Sequence, residues 1–407
     1  MTDLTPPVAE RRASSFTAHG VTIDDPYAWL KTPDYPEPVT DPAILGYLEA
    51  ENAYFEGVMA PHRPLIDRLY AEMKGRLKED EASVPQKDGD WLYWSAFEVG
   101  GQYRKWWRKP VAGGPDELLL DEPALAEGHE YFRLGAFSVS NGGRLLAYAI
   151  DDSGAERFTV YVKDLATGGL LPEVIPGMLS DIVWTSDDSG FLYGLANDQW
   201  RTDNARLHRL GTPVADDVEL YHEADEGWRV SVGETSARNW IVISTGDHNT
   251  TEIRLVPSRD PTATPILVAA RKEGREYDVD ERDGTLFIHT NDVDPQFRLV
   301  TAPIETPGEW TELIGPNPRF YMTGVDCFRD FFVVEGREDG LDQVEIHRYD
   351  GGAPVRIAFP EASYTAGLGD NPEWAMDVLR LGYQSMVTPG TVYDYDVATA
   401  AMTTLKV

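Results

Sequence analysis

Arg144-Leu-Leu-Ala-Tyr-Ala-Ile150, with Thr159-Val-Tyr-Val-Lys-Asp164 behind it, is the stretch that decides the fold. A turn feeds a short apolar run, and a second short run follows; segments of this length and composition are strands. The first unit recurs as Asp90-Trp-Leu-Tyr-Trp94, Gly190-Phe-Leu-Tyr-Gly-Leu195 and Asn239-Trp-Ile-Val-Ile-Ser244. It returns as Gly284-Thr-Leu-Phe-Ile-His289, Asp330-Phe-Phe-Val-Val-Glu335 and Arg380-Leu-Gly-Tyr-Gln-Ser385. Aligned on Leu92, Leu146, Leu192, Ile241, Leu286, Phe332 and Gly382, the copies are 54, 46, 49, 45, 46 and 50 residues apart.

The second unit keeps pace with the first. It runs from Tyr103-Arg-Lys-Trp-Trp-Arg-Lys109 through Arg206-Leu-His-Arg-Leu210 and Glu252-Ile-Arg-Leu-Val256 to Val392-Tyr-Asp-Tyr-Asp-Val397. Turn residues close many copies, as at Thr167-Gly-Gly169 and Asp350-Gly-Gly352. Seven copies, each with room for four short strands, predict a mainly β fold, a seven-bladed β-propeller. One blade cannot cover both of its faces; a ring of blades buries them all. The expected blades are 88–121, 135–175, 180–221, 228–270, 275–314, 322–359 and 375–406, within a domain spanning 86–407.

Residues 1–80 read differently, as a Pro-rich arm and two helices. Asp41-Pro42 is a helix start, with carboxylate at the N-cap and proline at N1. Leu45, Leu48, Phe55 and Met59 form one stripe; Ile66, Leu69, Met73 and Leu77 form a second after Pro64. With helix in 41–80, blade one can start only near Lys87. Each terminal blade is then one continuous segment, and the ring closes open, with no exchanged strand. Side-chain packing alone should hold the seam, making it the weakest part of the ring.

Lys+Arg is 36 and Asp+Glu is 69, a formal charge of −33 over 407 residues. So acidic a surface repels phosphate backbones and anionic lipid and attracts cationic peptides; no nucleic-acid or membrane partner is expected. The single cysteine, Cys327, excludes an internal disulfide framework and reads as a buried structural thiol. The first residues lack the apolar core of a signal peptide, and no run spans a membrane, so the expected compartment is the cytoplasm.

Chemical motifs fail one after another. There is no Gly-x-Ser-x-Gly elbow, and the eight histidines contain no His-Glu-x-x-His. His208, His289 and His347 lie inside strand repeats and read as packed or surface imidazoles. Asp278 to Gly284 imitates a calcium loop, but its third acid is one residue late and the last ligand position is His289. The pairs Asp151-Asp152, Asp187-Asp188 and Asp216-Asp217 read as turn formers on wet loops. The expectation is no catalytic residue, no cofactor and no metal within these residues.

One resemblance is specific. His19-Gly-Val-Thr-Ile-Asp-Asp-Pro-Tyr-Ala-Trp-Leu30 resembles the Asp-Pro-Tyr-x-Trp-Leu signature of the prolyl oligopeptidase family of serine peptidases. Glu51-Asn-Ala-Tyr54, Val58-Met-Ala-Pro61, Glu72 to Asp80, Ser83-Val-Pro85, His208 to Thr212 and Thr245 to Leu255 are similar to its oligopeptidase B branch. The resemblance implies the same propeller, joined to a C-terminal α/β-hydrolase domain that carries the serine, acid and histidine. It implies that 1–80 packs on that domain, with linkers near 81–87 and 404–407. The propeller would be the gating part of an enzyme that cuts short peptides after Arg or Lys, and the 407-residue chain alone would be inactive. A propeller that binds a peptide or protein partner without catalysis is the alternative on the residues alone.

Overall fold

The computed structural model describes residues 4–32 and 38–407. The first residues and part of the Pro-rich arm lie outside the described residues. Contacts divide the chain into two units, Met1–Glu79 and Asp80–Val407.

In the first unit a hairpin pairs Ser15–Ala18 with Val21–Asp24. Helix α1, Pro42–Met59, begins as its sequence requires: the Asp41 carboxylate accepts the Ala43 N–H at 2.7 Å and Pro42 fills the first turn. Helix α2 is Arg63–Lys74. Among the described residues of this unit, Ile44 is the one buried apolar side chain. Leu48, Phe55, Leu69, Met73 and Leu77 are all exposed.

The second unit is a propeller of seven four-stranded sheets. Every sheet is an antiparallel meander, its strands following one another in chain order. The first strands are Gln86–Asp88, Arg133–Val139, Val183–Trp184, Arg229–Glu234, Tyr277–Arg282, Phe320–Cys327 and Tyr364–Leu368. The two sequence landmarks are the second and third strands. Leu92, Leu146, Ile241, Leu286 and Phe332 are each the second residue of a second strand.

Blade 7 departs from the expected boundary. Its first strand, Tyr364–Leu368, precedes residue 375, and the residue equivalent to Phe332 is Leu379, not Gly382. Leu379 pairs with Tyr395, one residue from the end of the third strand, as Phe332 pairs with His347. Gly367 and Gly369 disguise the first strand, since glycine lowers strand propensity. The stretches expected as linkers carry strand structure. Gln86–Asp88 is a strand, Ser83 N–H donates to the Ser95 carbonyl, and Met402–Lys406 is the outer strand of blade 7.

The open closure is present. Blade 1 (86–121) and blade 7 (364–406) are each one segment, and among the described residues no strand passes between them. The six other junctions each hold one buried apolar cluster, because alternate residues of a second strand face opposite neighbours. In blade 3, Phe191 and Tyr193 pack toward blade 2 while Leu192 packs toward blade 4. None of these clusters joins blade 7 to blade 1. That seam is polar: Lys87 Nζ lies 2.6 Å from Glu373, Lys406 meets Glu81 and the Ala82 carbonyl, and Arg380 reaches the Pro85 carbonyl. Charged groups, not apolar packing, hold the place where the expectation put packing.

Candidate functional site: the central channel

A meander of four strands begins and ends at the same end of its blade. The chain therefore enters blade 1 and leaves blade 7 on one face of the ring, and Lys406 bonded to Glu81 marks that face. Loops joining first to second strands lie at the opposite face. The first strands line the axis: one cavity of 610 Å³ touches Gln86 and Asp88, Ser138, Val183, Val232 and Glu234, and Asp370 and Pro372. Only a central space can reach blades 1, 2, 3, 4 and 7 together.

The wall is aromatic and acidic. Tyr93, Trp94, Trp106, Trp107 and Phe137 contribute to it, with Trp106 stacked on Phe137 at 4.5 Å between ring centres. Asp88, Asp181, Glu234 and Asp370 stand against Arg104 and Arg238, so the lining is net negative. Burial by surrounding protein pushes the Glu234 carboxyl up, and Arg238 pulls it back. On the first strand of blade 6, Asp326 is pushed up to about 6, first by burial and then by the charges of Glu335 and Asp280.

The residues singled out in the sequence fall mostly into structural roles. Cys327 is fully buried, and burial followed by the charge of Asp280 pushes its thiol well up, away from nucleophilic use. Asp151 accepts the N–H groups of Ser153, Gly154 and Glu156, a turn former as expected, but it is buried and not on a wet loop. Asp188 does more: it accepts the Asn141 and Gly142 N–H groups at 2.9 and 2.8 Å and joins blade 3 to blade 2. Asp217 is not on a wet loop. Its side chain is fully buried between His208 Nδ1 at 2.8 Å and the Tyr193 hydroxyl at 2.7 Å. Asp280, in the rejected calcium loop, accepts from Ser236 N–H and hydroxyl and from Cys327 N–H, tying blade 5 to blades 4 and 6.

The acidic part of the lining was not legible, since Asp88, Glu234 and Asp370 lie at or just beyond the ends of first strands, which the repeat landmarks left out; Tyr93, Trp94, Trp106 and Trp107 fell inside the landmarks of the second and third strands. Among the described residues no cluster of His, Cys, Asp and Glu could hold a metal, and no helix is long and apolar enough to cross a membrane.

Seven meanders, closed among the described residues without strand exchange around a central channel, define an open-closure β-propeller. The chain belongs to the prolyl oligopeptidase family: residues 6–407 match its N-terminal β-propeller domain. It is 33% identical over 424 residues to dipeptidyl aminopeptidase BI of Pseudoxanthomonas mexicana, covering 99% of this chain and 58% of that protein. It is 27% identical to protease 2 of Moraxella lacunata, covering 98% of this chain and 58% of that one. Oligopeptidase B of Leishmania major superposes with a TM-score of 0.92 at 24% identity, over 100% of this chain and 61% of that structure. Oligopeptidase B of Trypanosoma brucei gives 0.91 at 25% identity, over 99% and 60%. The chain thus spans about three fifths of the length of these relatives.

Proposed function

We propose that this chain is the gating propeller of a serine oligopeptidase that resembles oligopeptidase B, takes short peptides and cuts after Arg or Lys. The observation that carries the reading is the channel: a passage of 610 Å³ admits an extended peptide and excludes a folded protein. Its net negative wall favours cationic peptides. The serine, acid and histidine would come from an α/β-hydrolase domain outside these residues, set on the face where the chain enters and leaves the ring. Exposed Leu48, Phe55, Leu69, Met73 and Leu77 would pack on that domain, because an amphipathic helix takes most of its stability from such packing. One buried cysteine accords with a cytoplasmic location.

The test has two arms. The 407-residue chain should neither hydrolyse Arg- and Lys-amide substrates nor take a fluorophosphonate label; labelling that is lost on denaturation refutes the division of labour. The chain expressed with a family hydrolase domain joined after Val407 should cut blocked Arg and Lys peptides and leave folded proteins intact. Cleavage confined to unblocked dipeptidyl amides overturns the Arg/Lys specificity and leaves the gating role standing.

A further inference from the structure

Arg238 stands in the turn between the first and second strands of blade 4, with φ of 55°, a left-handed conformation that non-glycine residues seldom adopt. In a ring of seven, blade 4 lies diametrically opposite the junction of blades 7 and 1. Arg238 nonetheless reaches that junction. Its Nη2 donates to Asp88 Oδ2 at 2.8 Å, at the end of the first strand of blade 1. The same nitrogen lies 3.4 Å from the Pro372 carbonyl, in the loop after the first strand of blade 7. Glu234, on blade 4 itself, holds Nε at 3.3 Å and keeps the guanidinium aimed across the axis.

One side chain therefore spans the channel at the face away from the chain ends and holds both lips of the seam. The seam is where it matters, since the six other junctions have apolar clusters and this one has none. We propose that Arg238 is a crossbar that shuts this mouth of the channel and pins blade 7 to blade 1, so that mouth and seam open together. The device does not depend on the peptidase reading. Removing the guanidinium frees the Pro372 carbonyl on blade 7 and leaves Asp88 of blade 1 and Glu234 of blade 4 as two like charges across the axis, so the tie between the lips is lost and the mouth is pushed open.

Amide hydrogen exchange on the 407-residue chain tests it. Arg238→Gln keeps the stem and removes the charge; Asp88→Asn removes the partner and serves if the first variant folds poorly. In both, exchange in 81–97 and 364–385 should rise about threefold to tenfold, the range for a part-buried ion pair. Exchange in 183–193 and 285–290 should stay as in the parent. Unchanged exchange at the seam in a variant whose other blades remain protected overturns the proposal. So does a rise spread evenly over all seven blades.

Discussion

The junction of blades 3 and 4 and the junction of blades 7 and 1 are held by opposite means. At the first, Leu192, Ala205 and Leu207 meet Val230, Val232, Ile241 and Ile243, all buried. At the second, Lys87, Glu373, Arg380, Lys406 and Glu81 do the joining through charged ends and carbonyls. Parity along the strand explains the difference. The second strand of blade 4 is apolar on both faces, with Trp240 and Val242 toward blade 5 and Ile241 and Ile243 toward blade 3. The second strand of blade 7 is apolar on one: Leu379 and Leu381 pack on blade 6, and the other face carries Arg380, Gly382 and Gln384. Blade 1 offers Leu92 and Trp94 on its seam side, both half-buried and outside the six buried apolar clusters. A ring with neither an exchanged strand nor an apolar wedge at one junction can part there with the other blades intact.

The largest expected effect separates the two junctions directly. Ile243→Ala empties a fully buried site between blades 3 and 4. It should cost about 2–5 kcal/mol of propeller stability, read from the urea midpoint. Leu92→Ala, at the half-buried seam, should cost about 1 kcal/mol. Equal losses would break the comparison.

Much of this contrast is written in the sequence. Six of the seven second strands announced themselves as apolar runs, because a blade buried between two neighbours needs both faces apolar. The seventh did not. Arg380, Gly382 and Gln384 interrupt it, and aligning it on Gly382 instead of Leu379 displaced the blade boundary. The polar face that misled the alignment is the seam. Asp217 and Asp280 were illegible for another reason. An acid at a turn and an acid buried by a neighbouring blade look alike until the ring closes, since their partners are contributed by other strands. Arg238 carried no signal at all; its partner Asp88 is 150 residues away.

A second test places a charge on the apolar side of the comparison. Asp326 lies beside Asp280 near the junction of blades 5 and 6, and burial pushes it up to about 6. An acid whose pKa rises on folding holds its proton longer in the folded chain. Folding stability therefore falls as pH rises from ~4 through 6, and the cost is complete above that window. Asp326→Asn removes the cost. At pH 8 the variant should be more stable than the parent by on the order of 1–2 kcal/mol, and at pH 4 the two should agree. Urea midpoints at both pH values check it; an advantage that persists at pH 4 would assign the effect to packing instead of charge.

The smallest effect comes from repairing the seam. Gly382 sits in the middle of the second strand of blade 7, paired to Gly367 and Val392, with ordinary negative φ. A Cβ added there meets nothing within 4 Å, so the seam has room for a side chain. Valine suits a strand better than glycine, reduces the freedom of the unfolded chain and would put a branched apolar group on the face turned toward Leu92 and Trp94. Gly382→Val should raise stability by about 0.5–1 kcal/mol and slow amide exchange across 364–385 and 86–97. It should also make that exchange less sensitive to salt. In the parent the seam rests on partly exposed ion pairs, with Lys87 48% exposed, and these weaken as the screening length contracts from roughly 10 Å at 0.1 M to 3 Å at 1 M. An apolar contact does not weaken in that way. If the variant gains stability while its seam stays as salt-sensitive as the parent's, the valine has acted on the unfolded chain alone, and blade 7 does not meet blade 1 along this face.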